Sequence, residues 1–147
     1  MGTPQAWFVG LETHCCQHLH SAGSSCVLYA AKNPKYSGMF RVMKKGKTVA
    51  QSWFWFNQDT GDFVFDNIEV LGGELRGSII DCYRAYIGEL RKRKDMFGYK
   101  RATFGTGYSD INTADFEPVS NPVTISSMPN GANTYSDARS QRLLETI

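Results

Sequence analysis

The most concentrated set of reactive side chains in this sequence lies within residues 14–26. All three histidines of the chain and three of its four cysteines fall there, and imidazole and thiolate groups are ligands that zinc prefers. However, the spacing contains no Cys-x-x-Cys pair, and two adjacent cysteines rarely ligate one ion, so zinc is an open interpretation rather than an expected cofactor. The six residues are His14, Cys15, Cys16, His18, His20 and Cys26.

The same segment permits two other interpretations. A cysteine activated by a neighbouring histidine is a nucleophile, and Glu12 is a nearby acid that could orient the imidazole. Alternatively, the thiols pack as small hydrophobic groups in a buried loop or helix. Because the first residues lack the charged segment and apolar stretch of a signal peptide, we expect reduced thiols and a cytoplasmic protein.

A cluster of basic side chains is the second feature with a possible chemical role. The net charge of the chain is only +2, but lysine and arginine concentrate between residues 91 and 101. With the rings of Trp53, Trp55 and Tyr99, this cluster predicts either a nucleic-acid surface or attraction for a phosphorylated cofactor. A solvated helix end is the simpler explanation. The cluster consists of Arg91, Lys92, Arg93, Lys94, Lys100 and Arg101.

Three strands are predicted before the first glycine pair of the chain. Residues 39–44 and 48–56 flank a short turn that contains Gly46, which is typical of a hairpin. A loop rich in Asn, Asp and Gly then leads to a third strand over residues 62–71. The short connections predict an antiparallel meander.

Helices are predicted on both sides of the meander. A serine pair precedes a short helix that begins near Ser24, and an amphipathic helix is predicted over residues 78–95. In the second helix, Ser78 is the expected N-cap, with Asp81 completing a capping box. A fourth strand over residues 100–105 should then lie parallel to the third, because a helix connects them.

The length and composition of the chain fit one domain with a sizeable core. It has 147 residues, of which 41% are hydrophobic. The sequence contains no run of 18 apolar residues, so it does not predict a membrane span. Residues 111–135 are rich in Asn, Pro, Ser and Gly, and residues 136–146 have the composition of a short capped helix. We therefore expect a single domain over residues 1–147, with its core at about 24–110 and an irregular extension over 111–147.

The order of these elements resembles the core of the GNAT acyltransferases. The likeness runs from about Ser24 to Asp110, and its best segment, Asp66-Asn67-Ile68-Glu69-Val70, is similar to the strand that precedes the pyrophosphate loop of that family. The resemblance implies an α/β (α+β) fold, with a mixed, mostly antiparallel sheet and a crossover helix. The loop at residues 72–78 departs from the family pattern in its spacing, although Arg76, Gly77 and Ser78 are suitable residue types.

The resemblance also implies a set of site residues and acetyl-CoA as the cofactor. Glu69 would be the general base, and Tyr108 would protonate the leaving thiolate. The backbone near Val70 and Leu71 would bind the pantetheine arm. The pyrophosphate would meet the start of the helix, since helix N-termini attract anions. The residues expected there are Arg76, Gly77 and Ser78. Without the resemblance, Glu69 is an exposed strand residue and Tyr108 is a packing residue.

Two functional hypotheses follow. The first is an acyl-CoA-dependent N-acyltransferase, or a degenerate relative of one, that modifies a host protein or a peptide amine. The second is a non-catalytic binding or inhibitor module that contacts a host protein or a nucleic acid. Segments 13–19 and 135–141 are similar to segments of uncharacterised bacteriophage proteins, which implies the host cytoplasm as the location.

Overall fold

A computed structural model of the chain describes residues 24–125 and 136–147. The cysteine and histidine segment lies outside these residues except for Cys26, which falls in the first helix. The three interpretations of that segment therefore stay predictions. The predicted short helix is present as α1, which spans Ser24–Lys32.

The predicted antiparallel meander is present. Its first two strands are joined by Lys45 and Gly46, which both have positive φ values, as a tight hairpin turn requires. Gly61 closes the second loop, also at positive φ. The three strands are β1 at Ser37–Lys44, β2 at Lys47–Asn57 and β3 at Asp62–Phe65.

The predicted third strand is interrupted, and its continuation forms a separate strand, β4, at Glu69–Val70. From Phe65 to Glu69 the chain advances four residues, while the paired residues on β2 advance only three. One extra residue is therefore accommodated as a bulge. The interruption contains two polar residues, Asp66 and Asn67, both fully buried, whose side chains bind other segments instead of continuing a regular ladder.

The crossover helix, α2, spans Arg76–Arg91 and ends before a separate short helix, α3, at Lys94–Phe97. The predicted N-cap at Ser78 is wrong, because the helix begins two residues earlier, and Leu75 holds the N-cap position without a side-chain hydrogen bond. The helix leads to β5 at Arg101–Gly105, which pairs in parallel with β3 as predicted.

The prediction of a terminal helix at residues 136–146 is wrong. Gln141–Thr146 forms a strand, β6, that pairs antiparallel with β5. The edge of β5 offers a row of backbone groups, and pairing with it outweighs the weak helical preference of a short segment. The side chain of Thr103 donates to the side chain of Gln141 at 2.7 Å inside this pair. A short 3₁₀ turn at Thr113–Asp115 lies in the extension before it.

The predicted fold class is confirmed. The described residues form a mixed, mostly antiparallel sheet of six strands in the order β1-β2-β3-β5-β6, with β4 also paired to β2. The two faces of β2 alternate: Phe56 faces α2 with Phe63, whereas Trp53 and Trp55 face α1. Within the part of the chain that the structure describes, no helix is long and apolar enough to span a bilayer.

Candidate active site

The strands β3 and β5 diverge after a short parallel pairing. Their last paired residues are Phe65 and Phe104. Beyond that point the backbone of Ile68 and Val70 is met by a loop that follows β5, not by a strand. The N–H of Ile68 donates to Ser109 Oγ at 3.0 Å, and its carbonyl accepts from the N–H of Asp110 at 2.9 Å. The region between the diverging strands, the cleft, thus has its edge occupied by residues of the chain itself.

The side chain of Asp110 occupies the next position along the same edge. Its Oδ2 accepts from the N–H of Val70 at 2.9 Å, while the N–H of Leu71 donates to the carbonyl of Val49. The backbone donors of both predicted pantetheine-binding residues are therefore engaged. Asp110 is nevertheless exposed to solvent, so its carboxylate can leave this position without disturbing the core.

Arg76 holds the loop between β4 and α2 against Asp110. Its Nε donates to the carbonyl of Asp110 at 2.9 Å, and its Nη1 donates to the carbonyls of Glu74 and Leu71. Two of these acceptors lie in the loop itself and the third lies in the segment after β5. The guanidinium therefore fixes the direction in which the chain enters the helix. A positive charge is thereby placed at the start of α2.

The N-terminus of α2 has the features of an anion-binding site. No side chain in the described part of the chain caps it, and its first turn contains no acidic residue. Gly77 and Ser78 are exposed, and a Cβ added at Gly77 would have no neighbour within 4 Å. The first N–H groups of a helix lack intrahelical acceptors and carry the positive end of the helix dipole. This end of the helix can therefore accept a phosphate group without rearrangement.

Glu69 belongs to a polar cluster on the face of the sheet opposite α2. It pairs with Gln51 of β2, which shares that face with Trp53. Asn67 links two carboxylates, because its Nδ2 donates to Glu69 Oε1 at 2.8 Å and to Asp137 Oδ2 at 2.7 Å. Glu69 is half-buried and does not project freely into solvent.

Two amides beside Glu69 have polar atoms without partners. Asn67 and Gln51 are fully buried, yet Asn67 Oδ1 and both polar side-chain atoms of Gln51 make no hydrogen bond with any residue that the structure describes. The orientation of Asn67 is fixed, since only its nitrogen can donate to two carboxylates. Its free oxygen therefore requires a donor, and leaving such an atom unpaired costs about 1–3 kcal/mol.

The segment just before β6 binds this cluster. Asp66 accepts from Ser136 Oγ at 2.5 Å and from the N–H of Asp137 at 3.2 Å. Burial raises the pKa of Asp137 above its usual 3.8, and the hydrogen bond from Asn67 opposes that rise. The carboxyl of Asp137 therefore binds a proton more tightly in the folded protein than in the unfolded chain.

Replacing Asp137 with asparagine should raise the melting temperature at pH 7. A raised pKa means that the protonated carboxyl stabilises the folded state, and that this contribution is lost as the pH rises through the folded pKa. Asparagine is neutral at every pH and still accepts from Asn67 through its oxygen. The stability difference between Asp137→Asn and the parent should therefore shrink from pH 7 to pH 4. Thermal unfolding across this range tests it, with the exposed Asp59→Asn as a control, and a pH-independent difference would contradict the argument.

Tyr108 lies beside the cleft but is not packed. It is 81% exposed and has a positive φ of 52°. Its neighbour Ser109 contacts Ile68, the neighbour of Glu69, so the loop brings the two predicted catalytic residues to the same region. Its exposure contradicts the alternative of a packing residue.

The basic cluster and the tryptophans do not form the predicted stacking surface. Trp53 and Trp55 are fully buried and cannot stack on bases. Arg101 forms a two-pronged ion pair with buried Asp62, and this pairing raises the pKa of the guanidinium. Arg91 binds Glu145 at 2.9 Å. The net positive field of the cluster is therefore smaller than its composition indicates.

A metal centre is not formed by the residues at 24–125 and 136–147. Within these ranges no group of three or more His, Cys, Asp or Glu side chains is arranged to hold a metal ion. The zinc interpretation concerns mainly residues 14–20, which the structure does not describe.

Sequence reasoning missed the residues that complete the cluster. Gln51, Asn67, Asp110 and Asp137 were not predicted as site residues. A usable signal was present, because polar residues interrupt otherwise apolar strands at Gln51 and at Asp66. The partners of these residues lie far along the chain and cannot be identified by spacing.

Comparisons with known proteins give only distant likenesses. No protein-family model and no curated protein matches the chain. An IAA acetyltransferase from Bacillus cereus is 12% identical, with a TM-score of 0.49, over 99% of this chain and 93% of that one. A Bacillus subtilis acetyltransferase in complex with CoA is 13% identical, with a TM-score of 0.46, over 78% and 80%. A GNAT family acetyltransferase from Elizabethkingia anophelis with acetyl-CoA bound is 14% identical, with a TM-score of 0.44, over 97% and 90%. These values do not establish a family for the chain.

Proposed function

We propose that this chain is an acyl-CoA-dependent N-acyltransferase that modifies a peptide amine. The observation that carries the proposal is the strand edge at Ile68 and Val70, where backbone donors and an acceptor beyond the last parallel pair bind a loop instead of a neighbouring strand. An extended molecule with amide groups is the natural partner for such an edge. The uncapped start of α2 lies at the end of the loop that follows this edge, and is suited to a phosphate group.

The cluster around Glu69 supports an amine as the acceptor. Among residues 24–125 and 136–147, Asn67 Oδ1 finds no donor, and the amide of Gln51 finds neither a donor nor an acceptor. A primary amine supplies N–H donors and, when protonated, a positive charge that suits the carboxylates of Glu69 and Asp137. These groups could therefore hold an amine nitrogen in place beside a carboxylate that accepts its proton.

The proposed reaction assigns one proton transfer to each predicted catalytic residue. Acetyl-CoA would supply the acyl group as a thioester. Glu69 accepts a proton from the amine as the nitrogen–carbon bond to the acyl group forms. Tyr108 donates a proton to the sulfur as the carbon–sulfur bond breaks, and it regains one from solvent, to which it is exposed. The amide and the free thiol are the products.

Ser109 and Asp110 must leave the strand edge before a cofactor can use it. Both contact it through groups that water can replace, and Asp110 is exposed. Ser109 and Asp110 therefore occupy the edge in the cofactor-free protein and lower the affinity for acetyl-CoA by competing with it.

Acetyl-CoA is expected to bind and to raise the melting temperature. At 100 times its Kd a ligand adds about 2.7 kcal/mol of stability, or roughly 5–10 °C for a domain of this size. Gly77→Leu should abolish the shift, because the side chain would project into space that the phosphate needs and that is otherwise open. Gly88→Leu, a substitution at another open position on the same helix, is the matched control. Asp110→Ala should tighten binding about fivefold, since it removes one competing hydrogen bond.

Isothermal titration calorimetry with these four proteins measures the effect. Absence of binding at millimolar acetyl-CoA to both the parent and Asp110→Ala would contradict the proposal. Equal affinity in the parent and Gly77→Leu would place any bound cofactor elsewhere than the start of α2.

A second candidate function, a non-catalytic binding module, is favoured by one specific observation. The strand edge that an acyl-CoA would use is already satisfied by Ser109 and Asp110. If this arrangement is permanent, the fold serves only as a scaffold for a contact surface. The calorimetry with Asp110→Ala separates the two candidates, because binding of acetyl-CoA to this variant requires a cofactor site, whereas a contact scaffold would not bind acetyl-CoA.

A further inference from the structure

An aromatic cavity lies on the other side of the sheet from Glu69. It has a volume of about 250 Å³ and lies against the face of the sheet that packs on α2. Seven of its lining residues are aromatic. One of these, Tyr36, lies in the segment just before β1, and this segment also contributes Pro34 and Lys35. The lining consists of Pro34, Lys35, Tyr36, Ser37, Phe54, Phe56, Gln58, Phe63, Tyr86, Phe97 and Tyr99.

The rings of this cavity form a continuous wall. Phe54 stacks on Phe63 with centroids 4.8 Å apart, and Tyr99 meets Phe56 edge-on at 4.7 Å. Phe97 completes the wall beside Tyr99 and is 40% exposed. Ring pairs of this kind add about 0.5–1.5 kcal/mol each beyond the burial of their area. These ring pairs therefore stabilise the wall, and Phe97 presents aromatic surface to solvent.

The lining of this cavity carries a positive charge. Lys35 is the charged residue in its lining, and its Nζ lies 5.2 Å from the ring centroid of Tyr36. Burial raises the pKa of both Tyr86 and Tyr99, and the positive charge of Arg93 opposes the rise in each case. An anionic group at the mouth of the cavity would meet these cations.

The cavity is separate from the proposed acyltransfer site. Tyr86 lies eight residues beyond Ser78 on the same helix, which corresponds to about 12 Å along its axis. Glu69 and Gln51 are on the opposite face of the sheet, where Trp53 also lies. A ligand in the cavity would therefore bind independently of acetyl-CoA.

We propose that this cavity binds a small, planar aromatic molecule that carries an anionic group. Its volume is slightly below the range of about 300–1,000 Å³ that is usual for drug-sized ligands, which favours one or two fused rings. The aromatic wall provides stacking and edge contacts for such rings. Lys35 provides the charge that pairs with the anionic group.

Titration with 2-naphthoate tests the proposal, with 2-naphthylmethylamine as a cationic compound of similar shape. Calorimetry should give a Kd below 1 mM for naphthoate, and binding of the amine should be at least about fivefold weaker. Lys35→Gln should weaken naphthoate about fivefold, which is about 1 kcal/mol for one exposed ion pair. Phe97→Ala should weaken both compounds. Lys47→Gln, an exposed position at the far end of β2, is the matched control and should bind as the parent does.

Outcomes of three kinds would overturn the proposal. The first is no binding of naphthoate at millimolar concentration. The second is equal binding of the anionic and cationic compounds, or equal effects of Lys35→Gln and Lys47→Gln. The third is displacement of naphthoate by a single-stranded decathymidylate that binds more tightly, which would identify the cavity as part of a nucleic-acid surface. The substituted lysines and Phe97 are exposed, so circular dichroism should find each variant folded.

Discussion

Replacing Gly105 with alanine should lower the free energy of unfolding by about 3 kcal/mol, the upper end of the usual range for overpacking. A Cβ at this position would overlap the carbonyl oxygen of Asp66 and lie 2.7 Å from the Cα of Ala138 and from the carbonyl oxygen of Asp137. All three are backbone atoms of strands and turns that hold one another in place. Relief therefore requires separation of β5 from two segments at once, because no side chain can rotate away.

Chemical denaturation and thermal unfolding measure this loss, which corresponds to about 10 °C in melting temperature. Gly88→Ala is the control, because its added Cβ has no neighbour within 4 Å and alanine is the better helix former by about 1 kcal/mol. Equal stability of Gly105→Ala and the parent would mean that Asp66 and Asp137 are not packed against β5 as described. The same variant should weaken any reaction that depends on Asn67, since Asn67 binds Asp137.

The fold was predictable where local chemistry determines it. The turn at Lys45 and Gly46 and the loop that ends at Gly61 set the hairpins, and the apolar periodicity of residues 79–90 identifies the crossover helix. Parallel pairing of β3 with β5 follows from the presence of that helix between them. Each of these inferences needs only residues that are close in sequence.

The fold was not predictable where a distant partner decides the conformation. Residues 141–146 have no strong preference, and they form a strand because β5 presents an unpaired edge. The bulge before Glu69 has the same kind of cause, since Ser52 donates to the carbonyl of Asn67 and the side chain of Asn67 reaches Asp137, 70 residues away. The local sequence does not predict these contacts.

The candidate site shows the same division. Glu69, Arg76 and Gly77 were identified from the resemblance of one strand and loop to a family, and they lie in β4 and at the start of the helix that follows it. Ser109 and Asp110 fill part of the cleft through contacts that span 41 and 40 residues. Such contacts leave no periodicity in the sequence, so whether the cleft is open could be learned only from the structure.

Replacing Glu69 with glutamine is expected to lower kcat/KM for acyl transfer by at least about 100-fold, the usual lower limit for loss of a general base. Glutamine has the same length and can still accept the hydrogen bond from Asn67 Nδ2, so the cluster should keep its geometry. What it loses is the ability to take a proton from the amine at neutral pH. The loss should therefore appear in the chemical step, while the affinity for acetyl-CoA, which depends on the start of α2, should be unchanged.

The experiment follows transfer of a radiolabelled acetyl group to a lysine-containing peptide, which avoids thiol reagents that would also react with the cysteines of the chain. Glu89→Gln, an exposed substitution on α2, is the matched control and should retain the activity of the parent. Equal rates for Glu69→Gln and the parent would exclude Glu69 as the base while leaving acyl transfer itself intact. Absence of transfer by the parent to peptide amines, despite binding of acetyl-CoA, would instead exclude the proposed acceptor, because the donor site and the acceptor site lie on different elements and fail independently.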